Sequence, residues 1–266
     1  MNTQFLSDSR KLKSLSLFLF FLCPFLNVSA QTETDSSFST QMNYVFANVD
    51  KSKVPYGILR DYAMEFTNLP QFNGAAALAD SNLTTMGTLY DVYYTLLTGR
   101  IYSSATGFIK TDSISNRWDN SRQPGRITLA GLFFQYARFK DNAANNYITV
   151  SGGQLFDKYV GGVWQNPYQA EKAFVISPSV TQYDSLSFSI LLPANLWLTN
   201  SSTIVSNINI DVNDGAGYRT LTPGTPLNIS YTTTGSKEWK YRLKLTDGSY
   251  LYAHSKVWIG FYNPGT

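Results

Sequence analysis

Between residues 186 and 245 apolar and polar side chains alternate almost one for one. Leu186, Phe188, Ile190 and Leu192 are separated by Ser187, Ser189 and Leu191, and Ile208, Ile210 and Val212 by Asn209 and Asp211. Leu227, Ile229 and Tyr231 are separated by Asn228 and Ser230. The clearest stretch sets Trp239, Tyr241, Leu243 and Leu245 against Glu238, Lys240, Arg242 and Lys244. A period of two sends alternate side chains to opposite faces, so these segments are predicted as strands with one dry and one wet face. Turn residues punctuate them: Pro193, Asn213-Asp214-Gly215, Pro223-Gly224, Gly235-Ser236 and Asp247-Gly248, the last a tight hairpin signal. One-sided strands with no helices between them need a second sheet as cover. Residues 171–266 are therefore predicted as an antiparallel β-sandwich.

Upstream the rhythm changes. Leu89, Val92, Tyr93, Leu96 and Leu97 recur at helical steps, with Thr84 or Thr85 placed to cap the start and Gly99 after the end. An earlier helix is predicted after Pro55, where Ile58, Leu59, Tyr62, Ala63 and Phe66 repeat at three- and four-residue steps until Pro70. The segment between the two (QFNGAAALADSN) reads as loop. Residues 42–126 thus form a small helical N-terminal portion. Residues 127–170 are mixed: Leu129, Leu132, Phe133 and Tyr136 suit a helix, while Ile127, Leu129 and Phe133 suit a strand. Residues 147–150 read as a short strand, with Gly161-Gly162 and 164–168 as loop, and the region is expected mostly as strand. The fold class expected is mainly β, a sandwich preceded by a small helical portion.

The first thirty residues do not fit that domain. Arg10, Lys11 and Lys13 precede an apolar stretch at 15–25 broken only by Ser16, Cys23 and Pro24, and Val28-Ser29-Ala30 supplies small residues ahead of Gln31. This is the pattern of a signal peptide spanning 1–30, and it implies export to the periplasm, cell surface or medium. A bilayer span needs about 20 apolar residues, so no membrane-spanning segment is expected after cleavage, the alternative being an uncleaved N-terminal anchor. Phe21 and Leu22 precede Cys23 where a lipid-attachment site needs small residues. Cys23 therefore leaves with the signal, and the mature chain has no cysteine. Residues 31–41 are small and polar, and are expected as a flexible leader. Residues 1–30 hold three of the 21 Lys and Arg and one of the 18 Asp and Glu, leaving a near-neutral chain with no field for nucleic acid or anionic lipid.

Residues 207–254 carry a family resemblance. The stretches NINIDVNDGAGYRTL, LNISYTTTG and EWKYRLKLTDGSYLYAHS resemble the polycystic-kidney-disease-type (PKD-like) immunoglobulin-fold repeat, through Asp211, Asp214-Gly215, Tyr231, Gly235 and Asp247-Gly248. Ile210 and Val212 stand where that family has an aromatic beside the first Asp, and the spacing from Tyr231 to Gly235 is one residue longer than the commonest. More loosely, VPYGIL, NPYQ and LPANLW make the chain similar to the N-terminal region of large secreted proteins of Bacteroidota. The resemblance implies a non-catalytic module that contacts a protein or a glycan, or spaces a neighbouring domain. The alternative it implies is the accessory N-terminal region of an exported α/β-hydrolase-type enzyme whose catalytic domain is absent from this chain.

Candidate chemistry is thin. His254 is the single histidine and is expected as a solvent-facing strand residue; no Gly-x-Ser-x-Gly elbow exists to give it a nucleophile, so no catalytic residue is assigned. One histidine and no mature cysteine argue against a transition-metal site. Asp211, Asn213, Asp214 and Gly215 crowd oxygen ligands into one turn, but they are a residue short of the EF-hand spacing and are also ordinary turn formers; no metal is assigned. Gly152-Gly153 and Gly161-Gly162 lack the Lys-Ser/Thr of a phosphate loop, and no cofactor is expected. Trp118, Trp164 and Trp197 lie in polar, loop-like contexts and are the candidate glycan contacts, packing into a loop cluster or a seam being the commoner fate of such rings. Trp239 belongs to the core. Asn82, Asn200 and Asn228 head N-glycosylation sequons that operate only in a eukaryotic source. Ser113 and Ser185 sit in Asp-Ser-Ile and Asp-Ser-Leu patterns resembling a Bacteroidota O-glycosylation acceptor.

Overall fold

The computed structural model describes residues 31–102 and 105–261. The expected signal peptide, Cys23 and the positive n-region lie outside the described residues. The spine of the molecule is β1 (Arg126–Phe139), which lies in the region of mixed periodicity. Ile127, Leu129 and Phe133 face one core, while Ala130, Leu132, Phe134 and Tyr136 face another. With both faces buried, apolar residues run almost without interruption, so neither a period of two nor of 3.6 stands out. The sandwich therefore does not begin at residue 171. Its sheet takes in β1 and its antiparallel partner β6 (Tyr168–Pro178), paired from Leu129↔Pro178 to Phe139↔Tyr168.

Two five-stranded sheets share the larger core. The first has the order β12-β8-β1-β6, where β8 is Ser187–Leu191 and β12 is Leu227–Ser230, and β9 (Trp197–Thr199) also pairs with β1. The second has the order β11-β10-β13-β14-β7: β7 is Gln182–Tyr183, β10 Val205–Asp211, β11 Arg219–Thr220, β13 Gly235–Leu245 and β14 Tyr250–Ile259. The alternation after residue 186 holds as expected. Trp239, Tyr241 and Leu243 are fully buried, and Lys240, Arg242 and Lys244 are turned to the other face. Asp247-Gly248 makes the expected turn, the Asp247 carboxylate accepting the Ser249 N–H at 2.9 Å and Gly248 adopting φ +87°. The pairing is not wholly antiparallel, because β1 runs parallel to β8 and β9, and β7 parallel to β14. Tyr231 ties the sheets together: its hydroxyl donates to the Val212 carbonyl at 2.6 Å and accepts the Trp239 indole N–H at 2.9 Å.

A layer of helices covers the outer face of the first sheet. The stripe from Leu89 to Leu97 is the helix Met86–Thr98, capped by the Thr85 hydroxyl accepting the Thr88 N–H at 3.1 Å and followed by Gly99. Its Leu89, Val92, Tyr93 and Leu96 pack on β1 and β6 together with Ile114 and Trp118 from the helix Thr111–Asn120, which the sequence pattern did not reveal. A third cluster lies where β1 and β6 run on past the second sheet. There the helix Gln31–Val45, not a flexible leader, places Met42 against Ala137, Tyr168 and the two small hairpins β2–β3 (Ile148–Ser151, Gln154–Asp157) and β4–β5 (Tyr159–Val160, Val163–Trp164). The helix expected after Pro55 is instead a series of short 3-10 turns. Tyr56 and Gly57 take left-handed φ values of +61° and +67°, and Ile58 and Leu59 are extended.

That extension completes β1. A buried strand must satisfy every backbone group, and the free edge of β1 is closed piece by piece. β8 pairs residues 126–128 and β9 pairs 131–133. The Asn200 side chain then stands in for a peptide, its Oδ1 accepting the Gln135 N–H at 2.9 Å and its Nδ2 donating to the Gln135 carbonyl at 2.8 Å. The Ile58 carbonyl accepts the Ala137 N–H at 2.8 Å, and the Asp61 carboxylate accepts the Phe139 N–H at 2.7 Å. Burial pushes the Asp61 carboxyl above its ordinary pKa, against the pull of that N–H and of Arg60 and Arg138. Among the described residues no helix is long and apolar enough to cross a membrane.

Candidate functional site

The wet face of the second sheet carries a row-by-row array of charged and aromatic side chains. Register sets out its rows across β10, β13 and β14: Asn207, Lys244 and Tyr250; Asn209, Arg242 and Tyr252; Asp211, Lys240 and His254; then Glu238 beside Lys256. The two ends of this face differ.

At the His254 end the face is covered. His254 does point outward from the sheet, but it is only 1 % exposed because residues 77–84 lie across it, which corrects the expectation of a solvent-facing residue. Nδ1 meets Glu238 Oε1 at 2.6 Å; Nε2 meets the Ala79 carbonyl and Asn82 Oδ1, each at 3.0 Å. Asn82 cannot be turned around, since its Nδ2 donates to the Ala77 carbonyl and its Oδ1 accepts the Ala79 N–H, both at 2.9 Å. Nε2 must therefore carry a proton. Lys256 pairs with Asp80 at 2.8 Å, and this ammonium holds the Asp80 carboxyl below its usual range. The imidazole is engaged in fastening an N-terminal segment to the edge of β14, where Thr84 N–H also donates to the His254 carbonyl.

At the other end the face is open. The Arg242 guanidinium carbon lies 4.3 Å from the Tyr218 ring centroid and 4.9 Å from that of Tyr250, the two rings reaching it from opposite sides of β13. Lys244 Nζ is 6.0 Å from the Tyr250 ring, and Tyr250 and Tyr252 stand 6.4 Å apart at 31°, each 38 % exposed. Among the described residues neither Arg242 nor Lys244 pairs with a carboxylate, and Arg242 Nε is shielded from solvent without a hydrogen-bond partner. Each cation–π contact is worth about 0.5–1 kcal/mol at such a site, enough to fix the orientation of the guanidinium without neutralising it. The result is an aromatic platform with two cations that no carboxylate of the described residues bridges, Asp211 lying one row away on the same face.

The three tryptophans behave otherwise. Trp118 is 1 % exposed in the core beneath the helices, so it is not a surface ring. Trp197 is half-buried and lies over Gly131, where an added Cβ would come within 3.1 Å of the indole and 2.8 Å of Ile176 Cγ1; it fills the space that glycine leaves. Trp164 is also half-buried. Its indole N–H donates to Asp157 Oδ1 at 3.0 Å, and Lys53 Nζ lies 5.0 Å from its ring. Of the three it alone borders exposed aromatic surface, with Tyr159 54 % exposed nearby, and its ring is already paired with a cation.

Three carboxylate oxygens of the 211–215 turn are bonded within the chain. Asp211 Oδ1 accepts the Asn213 N–H at 2.8 Å, Asp214 Oδ1 the Ala216 N–H at 3.1 Å, and Asp214 Oδ2 pairs with Arg219 at 2.6 Å. Among the described residues no group of three or more His, Cys, Asp or Glu is placed to hold a metal ion. A surface depression of about 620 Å³ lies over β8 and β12, lined by Ser187, Ser189, Asn228 and Ser230, and its one charged pair is this Asp214–Arg219 bridge. Two of the three sequon asparagines, Asn82 and Asn200, have their amides committed to the fold, and only Asn228 is exposed. Sequence reasoning missed the platform. Arg242 and Lys244, like Tyr250 and Tyr252, alternate legibly, but Tyr218 joins them only through folding. The chain matches no protein-family model and no curated protein.

Proposed function

We propose that the chain is a non-catalytic, exported interaction module whose contact surface is the open end of the second sheet's outer face. The observation that carries this is the platform of Tyr218, Arg242, Lys244, Tyr250 and Tyr252, where two cations held by aromatic rings stand beside the exposed Tyr250 and Tyr252 with no carboxylate bridge among the described residues. Aromatic and arginine side chains are the residues on which binding energy concentrates at protein surfaces. The immunoglobulin-like, PKD-like assignment is supported by strand order. β10, β13 and β14 follow the C, F, G sequence of that fold, and the antiparallel pair β8 and β12 follows B and E. The place beside B is taken by β1, an addition from the N-terminal part. Export is supported by the sequence pattern of residues 1–30 alone. A catalytic role for the lone imidazole is disfavoured by its positive use in holding residues 77–82.

The test is retention on immobilised acidic and neutral polysaccharides and acidic and basic polypeptides. It compares the native chain with a variant carrying Arg242→Ala, Lys244→Ala and Tyr252→Ala whose melting curve is unchanged. Retention of the native chain by at least one matrix, lost in the variant, is expected. Equal retention of both proteins, or of neither, contradicts the role given to this face.

A further inference from the structure

We infer that the ligand class of this platform is a carboxylated polysaccharide, a chain of uronate-type sugars lying across β13 and β14; the inference rests on the contact role proposed for the face. Three features of the platform select that chemistry.

The first is the state of Arg242. Flanking rings at 4.3 and 4.9 Å hold the guanidinium, and no carboxylate of the described residues meets it. An oriented guanidinium offers a planar fork that matches a carboxylate with two parallel hydrogen bonds, which a lysine ammonium cannot reproduce. The second is spacing. Lys244 is two residues further along the same face, about 7 Å away at the ordinary strand rise. A polymer bearing a carboxylate on every unit can engage both cations, while its apolar ring faces rest on Tyr250 and Tyr252. The third is what the surface lacks. An acidic peptide is read by a cluster of arginines, by strand addition at a free sheet edge or by anchors sunk into a groove, and this platform carries the single arginine Arg242. β13 is an interior strand bonded on one side to β10 and on the other to β14. The depression of about 620 Å³ lies elsewhere, over β8 and β12. A flat face with ring surfaces and spaced cations suits a ribbon-like acidic glycan better than a polypeptide.

Affinity electrophoresis of the purified chain tests this with four polymers in the gel: polygalacturonate, its methyl ester, poly-L-glutamate and dextran sulfate. Expected are retardation by polygalacturonate, an affinity at least tenfold weaker for the methyl ester and for poly-L-glutamate, and no preference for dextran sulfate. Arg242→Lys, which keeps the charge and loses the fork, is expected to weaken polygalacturonate binding at least tenfold, and Tyr252→Ala to weaken it with the melting temperature unchanged. Equal affinity for acid and ester overturns the inference, as does an Arg242→Lys protein that binds like the native one, or tighter binding to dextran sulfate. Retardation by poly-L-glutamate alone, lost in the Arg242 variant, overturns the glycan class while leaving the contact surface standing. Silence with all four polymers overturns both.

Discussion

Asn200 carries a structural load out of proportion to its size. Its amide closes the ladder of β1 at Gln135, where no backbone partner reaches, with contacts of 2.9 and 2.8 Å. Asn200→Ala would leave one N–H and one C=O of the central strand without partners. An unmet buried group costs about 1–3 kcal/mol. Gln135 is only half-buried, so water recovers part of that loss, and the expected total is about 2–3 kcal/mol. For a chain of this length each kcal/mol moves the melting temperature by about 2–4 °C, which gives a fall of about 4–12 °C. Asn200→Asp keeps the acceptor for Gln135 N–H but turns a carboxylate oxygen toward the Gln135 carbonyl. It should be at least as damaging as alanine at neutral pH and should recover as acid protonates the new carboxyl. Calorimetry of the two variants beside the native chain measures both effects. An alanine variant within about 0.5 kcal/mol of native would refute the idea that this side chain completes the sheet.

Other expectations follow from the same geometry. Gly131→Ala drives a methyl group to 2.8 Å from Ile176 and 3.1 Å from Trp197, so a loss of about 1–3 kcal/mol in urea unfolding is expected, and an unchanged midpoint would refute the close fit. Asp61 has a folded pKa raised by burial, so its contribution is fullest below the unfolded value of about 3.9 and is lost as pH rises through the folded value. Asp61→Asn keeps an acceptor for Phe139 N–H without the charge. The stability of native relative to variant should therefore fall between acid and neutral pH, and a flat or rising difference sinks the assignment. Trp118→Ala, deleting a core indole, should cost about 3–5 kcal/mol, whereas Trp164→Ala should cost far less. Comparable losses in chemical denaturation would show that the burial difference has been misjudged.

How far the sequence revealed the fold depended on where each strand lies. β8, β10, β12 and β13 each bury one face, so their alternation was plain. β1 and β6 are buried on both, and the same burial that makes them central erased their period. The Ile58–Leu59 stretch matched a helical stripe because it is apolar, but left-handed residues just before it prevent a helix, and its backbone instead serves β1. His254 was expected in solvent, and its side chain does leave the sheet on the outer face but is buried there. Its cover comes from residues 77–84, some 170 positions away in sequence, which no local pattern announces. Trp118 looked like a loop ring because its neighbours are polar; they are the solvent side of a short helix whose other side holds Ile114 and the indole itself.

Hydroxyl-radical footprinting of the aromatic side chains, with and without the polymer that retards the chain most, puts the contact surface to its most direct test. Oxidation of Tyr218, Tyr250 and Tyr252 should fall on binding, with Tyr44, Tyr159 and Trp164 unchanged. Protection of Tyr159 and Trp164 with the three platform tyrosines still fully reactive would move the contact to the β4–β5 hairpin and contradict the proposal.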